Sequence, residues 1–292
     1  MKPQGVSIII STRNQENNIG KCIRSSLSQD WPAIEVIVVD DGSADNTLQI
    51  AKGFGKKVRI IENKGAGRVA GLNKAIKIAK HPYVCLSAGD IELEKAFVKK
   101  IMKFFDKDVA FVSPFTKTGG NSTIYRKGLI EKLGYFDERF NVLGSGFRDD
   151  TDMAFRMFDA GYRGILTYSA KIFHASDRER LKTLKEKVMY AQRRVNIHTI
   201  DPLLYRKHPA RASEFFDIRL GFLRNPVADF KTATGLWHRS REFTLKSPQG
   251  VVLLRGDKAG SKVLIFLLGL AYVSLVKLAR LYGSVKYWKL MI

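Results

Sequence analysis

Two adjacent acids stand directly after a mostly apolar stretch near the start of the chain. The run Asp40–Ser43 (DDGS) follows the stretch Glu35–Val39. Neighbouring carboxylates at the end of a strand can accept hydrogen bonds from ribose hydroxyls or from a base N–H. A capped turn accounts for Gly42 and Ser43 but does not require two acids. The pattern therefore predicts a nucleotide contact at this position.

A second acid-bearing turn, Ser87–Asp90 (SAGD), follows the apolar stretch Tyr83–Leu86. A carboxylate at Asp90 can hold a divalent cation against a diphosphate, but a plain turn is the simpler explanation of a single acid. His174 follows the short run Ala170–Phe173. It is a candidate metal or phosphate contact, with a purely structural histidine as the alternative.

Three acids occur within four residues at the predicted start of a helix. They are Asp149, Asp150 and Asp152. Acids are favoured at a helix N-terminus by the helix dipole, but three of them exceed what capping needs. One of these carboxylates is therefore a candidate general base for an acceptor hydroxyl.

An alternation of strands and helices must position these residues. Short apolar runs predict buried parallel strands at Val6–Ile10, Glu35–Val39, Val58–Ile61, Tyr83–Leu86 and Val109–Val112. The stretches between them predict helices at Asn17–Gln29, Ala44–Lys52, Gly71–Lys80 and Leu93–Phe105. This spacing predicts an α/β fold with a mostly parallel sheet, which binds ligands at the carboxyl ends of its strands.

Several segments carry a resemblance to a known family. They are Val6–Asn14, Glu35–Thr47, Gly67–Ala75, the stretch 121–138 and Asp149–Gly161. In order and spacing they resemble the family 2 inverting glycosyltransferases of GT-A fold, over roughly residues 5 to 210. The resemblance implies a GT-A-type, Rossmann-like sheet with flanking helices. It also implies transfer of a sugar from a nucleotide-sugar donor to an acceptor hydroxyl with inversion.

The resemblance assigns roles to particular residues. Asp150 matches the catalytic base, and Asp149 replaces the glutamate that usually precedes it. The implied nucleotide-sugar contacts are Thr12, Glu16, Asp41, Asn73 and Asp90.

The chain departs from the family at the metal motif. Relatives carry Asp-x-Asp, often with a third aspartate, where this chain has Ser87–Asp90. The implied cofactor is Mg²⁺ or Mn²⁺, held by Asp90 together with His174. Because the motif is reduced, a catalytically impaired GT-A domain that binds nucleotide-sugars or acts as a scaffold is the alternative function.

The carboxyl-terminal part of the chain is basic. From Lys171 onward there are 24 Lys and Arg and 9 Asp and Glu, a net charge of +15 within a total of +22. The uncharged run Val263–Val276 is shorter than the ~20 residues of a spanning helix. Cations flank or interleave the apolar residues from this run onward, at Lys262, Lys277, Arg280, Lys286 and Lys289. An interfacial membrane helix is the preferred interpretation, and a buried helix is the alternative.

These patterns predict three parts and a cellular location. Residues 1–176 form the glycosyltransferase domain, 177–258 a basic helical extension and 259–292 a membrane-associated segment. The expected partners are a nucleotide-sugar, a glycan or lipid-linked acceptor and an anionic membrane surface, at the cytoplasmic face of the cell membrane. Two isolated cysteines, Cys22 and Cys85, suit a reducing compartment. A nucleic-acid-binding protein is not expected, because the sequence lacks a recognition motif for one.

Overall fold

The computed structural model describes residues 4–114, 122–175, 183–225, 243–247, 250–254 and 262–292. The chain divides into two compact units, Met1–Arg180 and Leu181–Ile292. The predicted boundaries after residues 176 and 258 lie outside the described residues, so the three-part division stays a prediction.

The first unit alternates strands and helices. Its strands are β1 (Val6–Thr12), β2 (Ile34–Asp40), β3 (Arg59–Glu62), β4 (Tyr83–Ala88), β5 (Ile91–Leu93), β6 (Val109–Pro114), β7 (Thr123–Arg126), β8 (Asn141–Val142), β9 (Ser145–Gly146), β10 (Arg163–Thr167) and β11 (Ile172–His174). Its helices are α1 (Ile19–Leu27), α2 (Thr47–Lys52), α3 (Arg68–Ile78), α4 (Phe97–Met102), α5 (Lys127–Lys132) and α6 (Asp149–Asp159).

Seven of these strands form one sheet, in the order β10-β6-β7-β4-β1-β2-β3. β1 pairs in parallel with β2 and β4, and β2 pairs in parallel with β3. β10 is parallel to β6, whereas β7 runs antiparallel to both of its neighbours. The predicted α/β class and mostly parallel sheet are confirmed.

Burial on both faces of the sheet explains the continuous apolar strands. Ile8 and Ile10 of β1 pack into a core layer that includes Ile23 of α1. Ile9, between them, points to the opposite layer and packs with Leu72 of α3. Because both faces are covered by helices, neither set of alternating positions can be polar.

The segment 93–105 differs from its prediction as one helix. Ile91–Leu93 is the short strand β5, which pairs antiparallel with β11, and the helix is limited to Phe97–Met102. Leu93 is buried by this pairing with Ile172, a contact across 79 residues that apolar spacing does not encode. The antiparallel strand β7 was also not predicted, because it is recruited between β4 and β6 by long-range pairing.

The second unit is mainly helical among its described residues. Its helices are α7 (Leu184–Asn196), a 3-10 helix (Ile197–Ile200), α8 (Asp201–Lys207), α9 (Pro209–Phe216) and α10 (Lys262–Tyr287). Two hairpins pair β12 (Ile218–Arg219) with β13 (Leu223–Arg224) and β14 (Phe243–Ser247) with β15 (Gly250–Leu254). The predicted helical character of this part and its carboxyl-terminal helix are confirmed.

An internal ion pair fixes α10 against α8. Arg280 Nε lies 3.1 Å from Asp201 Oδ2, and both side chains are almost completely buried. His198 Nδ1 lies 2.9 Å from the same carboxylate oxygen. The interpretation of Arg280 as one of the cations exposed along this helix is therefore wrong, because its guanidinium compensates a buried carboxylate. Among the described residues, no helix has the length and apolar character needed to cross a membrane.

Loss of the Arg280 guanidinium should destabilise the second unit. Arg280→Ala leaves the buried Asp201 carboxylate without its guanidinium, so we expect the free energy of unfolding to fall by about 3–5 kcal/mol. Urea titration followed by circular dichroism measures this change. Lys99→Ala is the matched control, because the pair between Lys99 and Asp30 is half exposed and solvent screens it, so its loss should change stability far less. Equal losses in the two variants would contradict a specific role for the buried pair.

Candidate functional site

The carboxyl ends of three neighbouring strands meet at one edge of the sheet. Thr12 at the end of β1 is in register with Asp40 at the end of β2, and Ser11 is in register with Ala88 at the end of β4. Loops that follow parallel strands at such an edge form the usual ligand site of an α/β sheet. The predicted motifs at residues 40–43 and 87–90 are thereby brought together.

The two adjacent acids at the end of β2, Asp40 and Asp41, have different hydrogen-bond partners. Asp40 caps its own turn, since its carboxylate accepts hydrogen bonds from the backbone N–H groups of Gly42 and Ser43. Asp41 is also buried, and its Oδ1 accepts from Asn63 Nδ2 at 2.8 Å and from the Gly67 N–H at 3.0 Å. Its other oxygen, Oδ2, accepts no hydrogen bond from the described residues. Asp41 can thus order the loop before α3 and still offer an acceptor to a ligand.

Thr12 brings an unsatisfied hydroxyl to the same edge. Its Oγ1 is buried and has no hydrogen-bond partner among the described residues. A Cβ built on Gly89 would lie 2.3 Å from this oxygen, so glycine is required for the two loops to approach. A buried hydroxyl without a partner costs roughly 1–3 kcal/mol, which a ligand that bonds to it can recover.

Asp90 and His174 form a two-residue donor set. His174 Nε2 lies 3.7 Å from Asp90 Oδ2, because β11 pairs with β5 directly after the turn that carries Asp90. One carboxylate and one imidazole suit Mn²⁺, and one carboxylate completed by diphosphate oxygens suits Mg²⁺. No group of three or more potential metal-binding side chains occurs in the described ranges. The residues therefore fit a metal that is held jointly with a ligand.

An ion pair joins the start of α3 to the start of α6. Arg68 Nη1 lies 2.9 Å from Asp149 Oδ2, and the Arg68 N–H donates to the Gly144 carbonyl at 3.2 Å. A Cβ on Gly146 would lie within 2.8 Å of both side chains of the pair. Glycine at 146 is therefore a condition for this contact, which closes the hairpin of β8 and β9 over α3.

The three acids of α6 occupy three environments. Asp149 is buried, and burial raises its pKa despite the neighbouring Arg68 guanidinium. Asp152 is buried and paired with Arg156 at 2.8 Å, which makes it structural. Asp150 is exposed, and its Oδ1 accepts from the Thr151 N–H. Only Asp150 of the three presents its carboxylate to solvent, as a base for an incoming hydroxyl must.

Two of the residues that were predicted to contact the nucleotide have other hydrogen-bond partners within the chain. Glu16 is exposed, and its Oε2 accepts from the backbone N–H and the side-chain amide of Asn46. Asn73 is buried in α3, where its amide donates to the Phe136 carbonyl at 2.9 Å and accepts from the Phe136 N–H at 3.1 Å. Both side chains hold loops together, and their roles as direct nucleotide contacts stay predictions.

Sequence reasoning did not identify Arg68 or Gly146. A cation in the first turn of a helix opposes the helix dipole, so an arginine at the start of α3 is a signal that a carboxylate lies nearby. The partner, 81 residues further along, could not have been named from the sequence.

Comparison with known proteins places these features in a family. Residues 7–162 match the family model described as Glycosyl transferase family 2. A chondroitin synthase of Pasteurella multocida (strain Pm70) is 29% identical over 191 residues, which is 62% of this chain and 19% of that protein. An uncharacterized glycosyltransferase of Escherichia coli (strain K12), YibD, is 32% identical over 111 residues, 36% of this chain and 32% of that protein. The matches thus span a third or less of these relatives.

Solved structures share the fold. The mannosyltransferase PcManGT of Pyrobaculum calidifontis, in complex with GDP-Man and Mn²⁺, has a TM-score of 0.61 at 17% identity. The likeness covers 97% of this chain and 89% of the mannosyltransferase chain. Glucosyl-3-phosphoglycerate synthase of Mycobacterium tuberculosis, with Mn²⁺, UDP and phosphoglyceric acid, has a TM-score of 0.52 at 17% identity. The likeness covers 68% of this chain and 77% of the synthase chain. At these identities the likeness concerns the fold alone.

Replacing Thr12 should separate stability from ligand binding. Thr12→Val keeps the shape but removes the unsatisfied hydroxyl, so we expect the free energy of unfolding to rise by about 1 kcal/mol. Affinity for nucleoside diphosphates, measured by calorimetry, should fall. Thr123→Val is the control, because the Thr123 hydroxyl donates to Ser113 Oγ at 2.9 Å and its loss should destabilise the fold. A Thr12→Val protein that is destabilised and binds nucleotide normally would contradict this role.

Proposed function

This chain belongs to glycosyl transferase family 2, and on that premise we propose that it transfers a sugar from a nucleotide-sugar donor to an acceptor hydroxyl with inversion at the anomeric carbon. The observation that carries the proposal is the exposed Asp150 carboxylate at the start of α6. The pair between Arg68 and the buried Asp149 holds this helix start against the loop that Asp41 orders. A base and a nucleotide-binding edge are thus linked by direct contacts.

Donor binding rests on the strand ends. Asp41 offers Oδ2 to a base or ribose, and the Thr12 hydroxyl offers a second polar contact beside Gly89. The solved neighbours hold GDP-Man in one case and UDP in the other, which supports a nucleotide-sugar as the donor class.

The reaction is an in-line displacement. Asp150 removes the proton from the acceptor hydroxyl as the acceptor oxygen attacks the anomeric carbon. The nucleoside diphosphate leaves on the opposite face. Attack from one face and departure from the other inverts the configuration. Binding donor and acceptor in line supplies the entropic part of the rate enhancement.

Asp90 and His174 are the residues that would hold Mg²⁺ or Mn²⁺. Such an ion, when bound, neutralises negative charge that develops on the departing diphosphate. Both solved neighbours contain Mn²⁺, which supports this assignment. The reduction of the usual Asp-x-Asp motif to Ser87–Asp90, which keeps one acid, favours, as a second candidate function, a domain that binds the donor without turnover.

We further propose an acceptor in surface or lipid-linked glycan assembly and a location at the cytoplasmic face of the cell membrane. The chondroitin synthase relative makes a glycan, and the basic second unit suits an anionic surface. Product analysis by NMR after reaction with a nucleotide-sugar, selected from a panel by thermal shift, tests transfer and inversion together. Retention of configuration would overturn the single-displacement mechanism.

Asp150 should be essential for turnover and dispensable for donor binding. Asp150→Asn removes the proton acceptor with little change of volume, so we expect release of nucleoside diphosphate to slow by about 10²–10⁴-fold. Affinity for the nucleotide, measured by calorimetry, should stay within about twofold of the wild type. Asp159→Asn, at the other end of α6, is the control and should keep full activity. If Asp150→Asn turns over at the wild-type rate, the base lies elsewhere and Asp149 is the next candidate.

Metal binding should depend on the nucleotide. One carboxylate and one imidazole bind Mn²⁺ weakly, so we expect the free protein to leave Mn²⁺ largely in solution and to bind it when a nucleoside diphosphate is present. Electron paramagnetic resonance of free Mn²⁺ measures this directly. Asp90→Asn should abolish the nucleotide-dependent binding, whereas Glu92→Gln on β5 should not. Tight Mn²⁺ binding by the protein without nucleotide would contradict the proposed ligand set.

A further inference from the structure

Helix α10 has one face that is fully used inside the second unit. Ala279, Arg280 and Ser284 are buried along this face. A Cβ on Gly283 would lie 2.0 Å from the Thr199 carbonyl oxygen, so the helix backbone lies directly on the 3-10 helix. Because Arg280 is paired with Asp201 there, this face cannot be turned toward hydrocarbon.

The opposite face of α10 is apolar and exposed. Its exposed large side chains recur at nearly helical spacing and form, with Trp288 directly after the helix end, what we call the outer stripe: Leu275, Leu278, Leu281, Tyr282, Val285 and Trp288. Their exposed fractions range from 42% for Leu281 to 86% for Trp288. Six large apolar or aromatic residues on one exposed face exceed the scattered hydrophobic residues of an ordinary surface.

Cations accompany the outer stripe, and acids do not. Lys277 and Lys286 lie beside or between its members, whereas the Lys289 ammonium lies 4.3 Å from the centre of the Tyr205 ring, and no Asp or Glu occurs after Asp257 in the sequence. Lysine stems can lie along an apolar surface while their ammonium groups reach a polar layer. Two copies of such a surface would place like charges together, which disfavours self-association.

We propose that the outer stripe rests on an anionic lipid bilayer, with α10 lying parallel to the membrane surface from about Val276 onward. The apolar residues would enter the boundary between headgroups and acyl chains to a depth of about 5–10 Å. Tyr282 and Trp288 suit this boundary, because their rings combine an apolar body with a polar group. The lysines contact anionic headgroups. The proposal concerns the second unit and does not depend on the chemistry at the sheet edge.

The structure also changes how membrane binding must be tested. Deletion of residues 260–292 would remove Arg280 from Asp201 and the backbone pairing of Ile292 with Phe222 and Arg224, so a truncated protein cannot separate unfolding from loss of membrane binding. Exposed residues of the full chain must be replaced instead. The wild-type protein should sediment with vesicles of phosphatidylcholine and 30% phosphatidylglycerol at low salt, and much less with phosphatidylcholine alone.

Two sets of substitutions separate the apolar and the electrostatic contributions. Leu278→Glu with Val285→Glu should reduce the partition coefficient on anionic vesicles at least tenfold, whereas Leu166→Glu on the exposed side of β10 should not. Lys277→Gln with Lys286→Gln should reduce it about fivefold per lysine, and only on anionic vesicles. A circular dichroism spectrum and a thermal melting curve like those of the wild type confirm that each variant is folded.

The fluorescence of Trp288 gives an independent readout. Vesicle binding should shift the emission to shorter wavelength, and brominated lipids should quench it at a shallow depth. Trp288→Phe should abolish both effects and control for the other tryptophans. The proposal is overturned if the wild-type protein stays in solution with anionic vesicles, or if the variant with both glutamates binds them normally. It is equally overturned if those glutamates convert a lipid-free dimer into a monomer. Failure of sugar transfer, in contrast, would overturn the proposed function and leave the membrane result unaffected.

Discussion

The ion pair between Arg68 and Asp149 sets the geometry on which the candidate site depends. A carboxylate buried as deeply as Asp149 is costly in its charged form, and its raised pKa shows that burial outweighs the nearby guanidinium. The pair therefore tolerates little displacement, because withdrawal of Arg68 would leave the acid buried without compensation. Gly146 is part of the same constraint, since any side chain there would meet both partners. The position of the next residue, Asp150, follows from that of Asp149.

Asp41 extends this constraint back to the sheet. Its Oδ1 holds the Gly67 N–H, and Gly67 adopts a φ of +95°, which side-chain-bearing residues rarely adopt. Arg68 follows immediately, so one carboxylate at the end of β2 fixes the residue that reaches Asp149. The groups proposed for donor binding and for base catalysis are thereby connected through two charged contacts and one backbone position that requires glycine. Such a connection supplies the preorganisation that a displacement reaction needs.

The sheet was predictable because its signal is local. Strands such as Val6–Ile10 are buried on both faces, and the resulting apolar runs are visible in the sequence. Asp40, Asp41 and Asp90 could be located at strand ends because they closely follow these apolar runs in the sequence. The roles of Asn73 and Arg280 could not be predicted, because each is decided by a partner 63 or 79 residues away. A charged side chain read in isolation is assigned to the surface, and only the fold reveals that Arg280 lies beside a buried acid.

The same distance along the chain has a consequence for biosynthesis. Asp201 and Arg280 are separated by 79 residues, which a ribosome adds in roughly 4–16 s at the usual rate of about 5–20 residues per second. The strands of the large sheet all precede this interval and can pair while it passes. During that time Asp201 and the neighbouring apolar side chains of α8 are not yet covered by α10. Nascent chains at this stage expose the kind of surface that chaperones bind, so the second unit is the part of the molecule whose folding is most sensitive to the pace of translation.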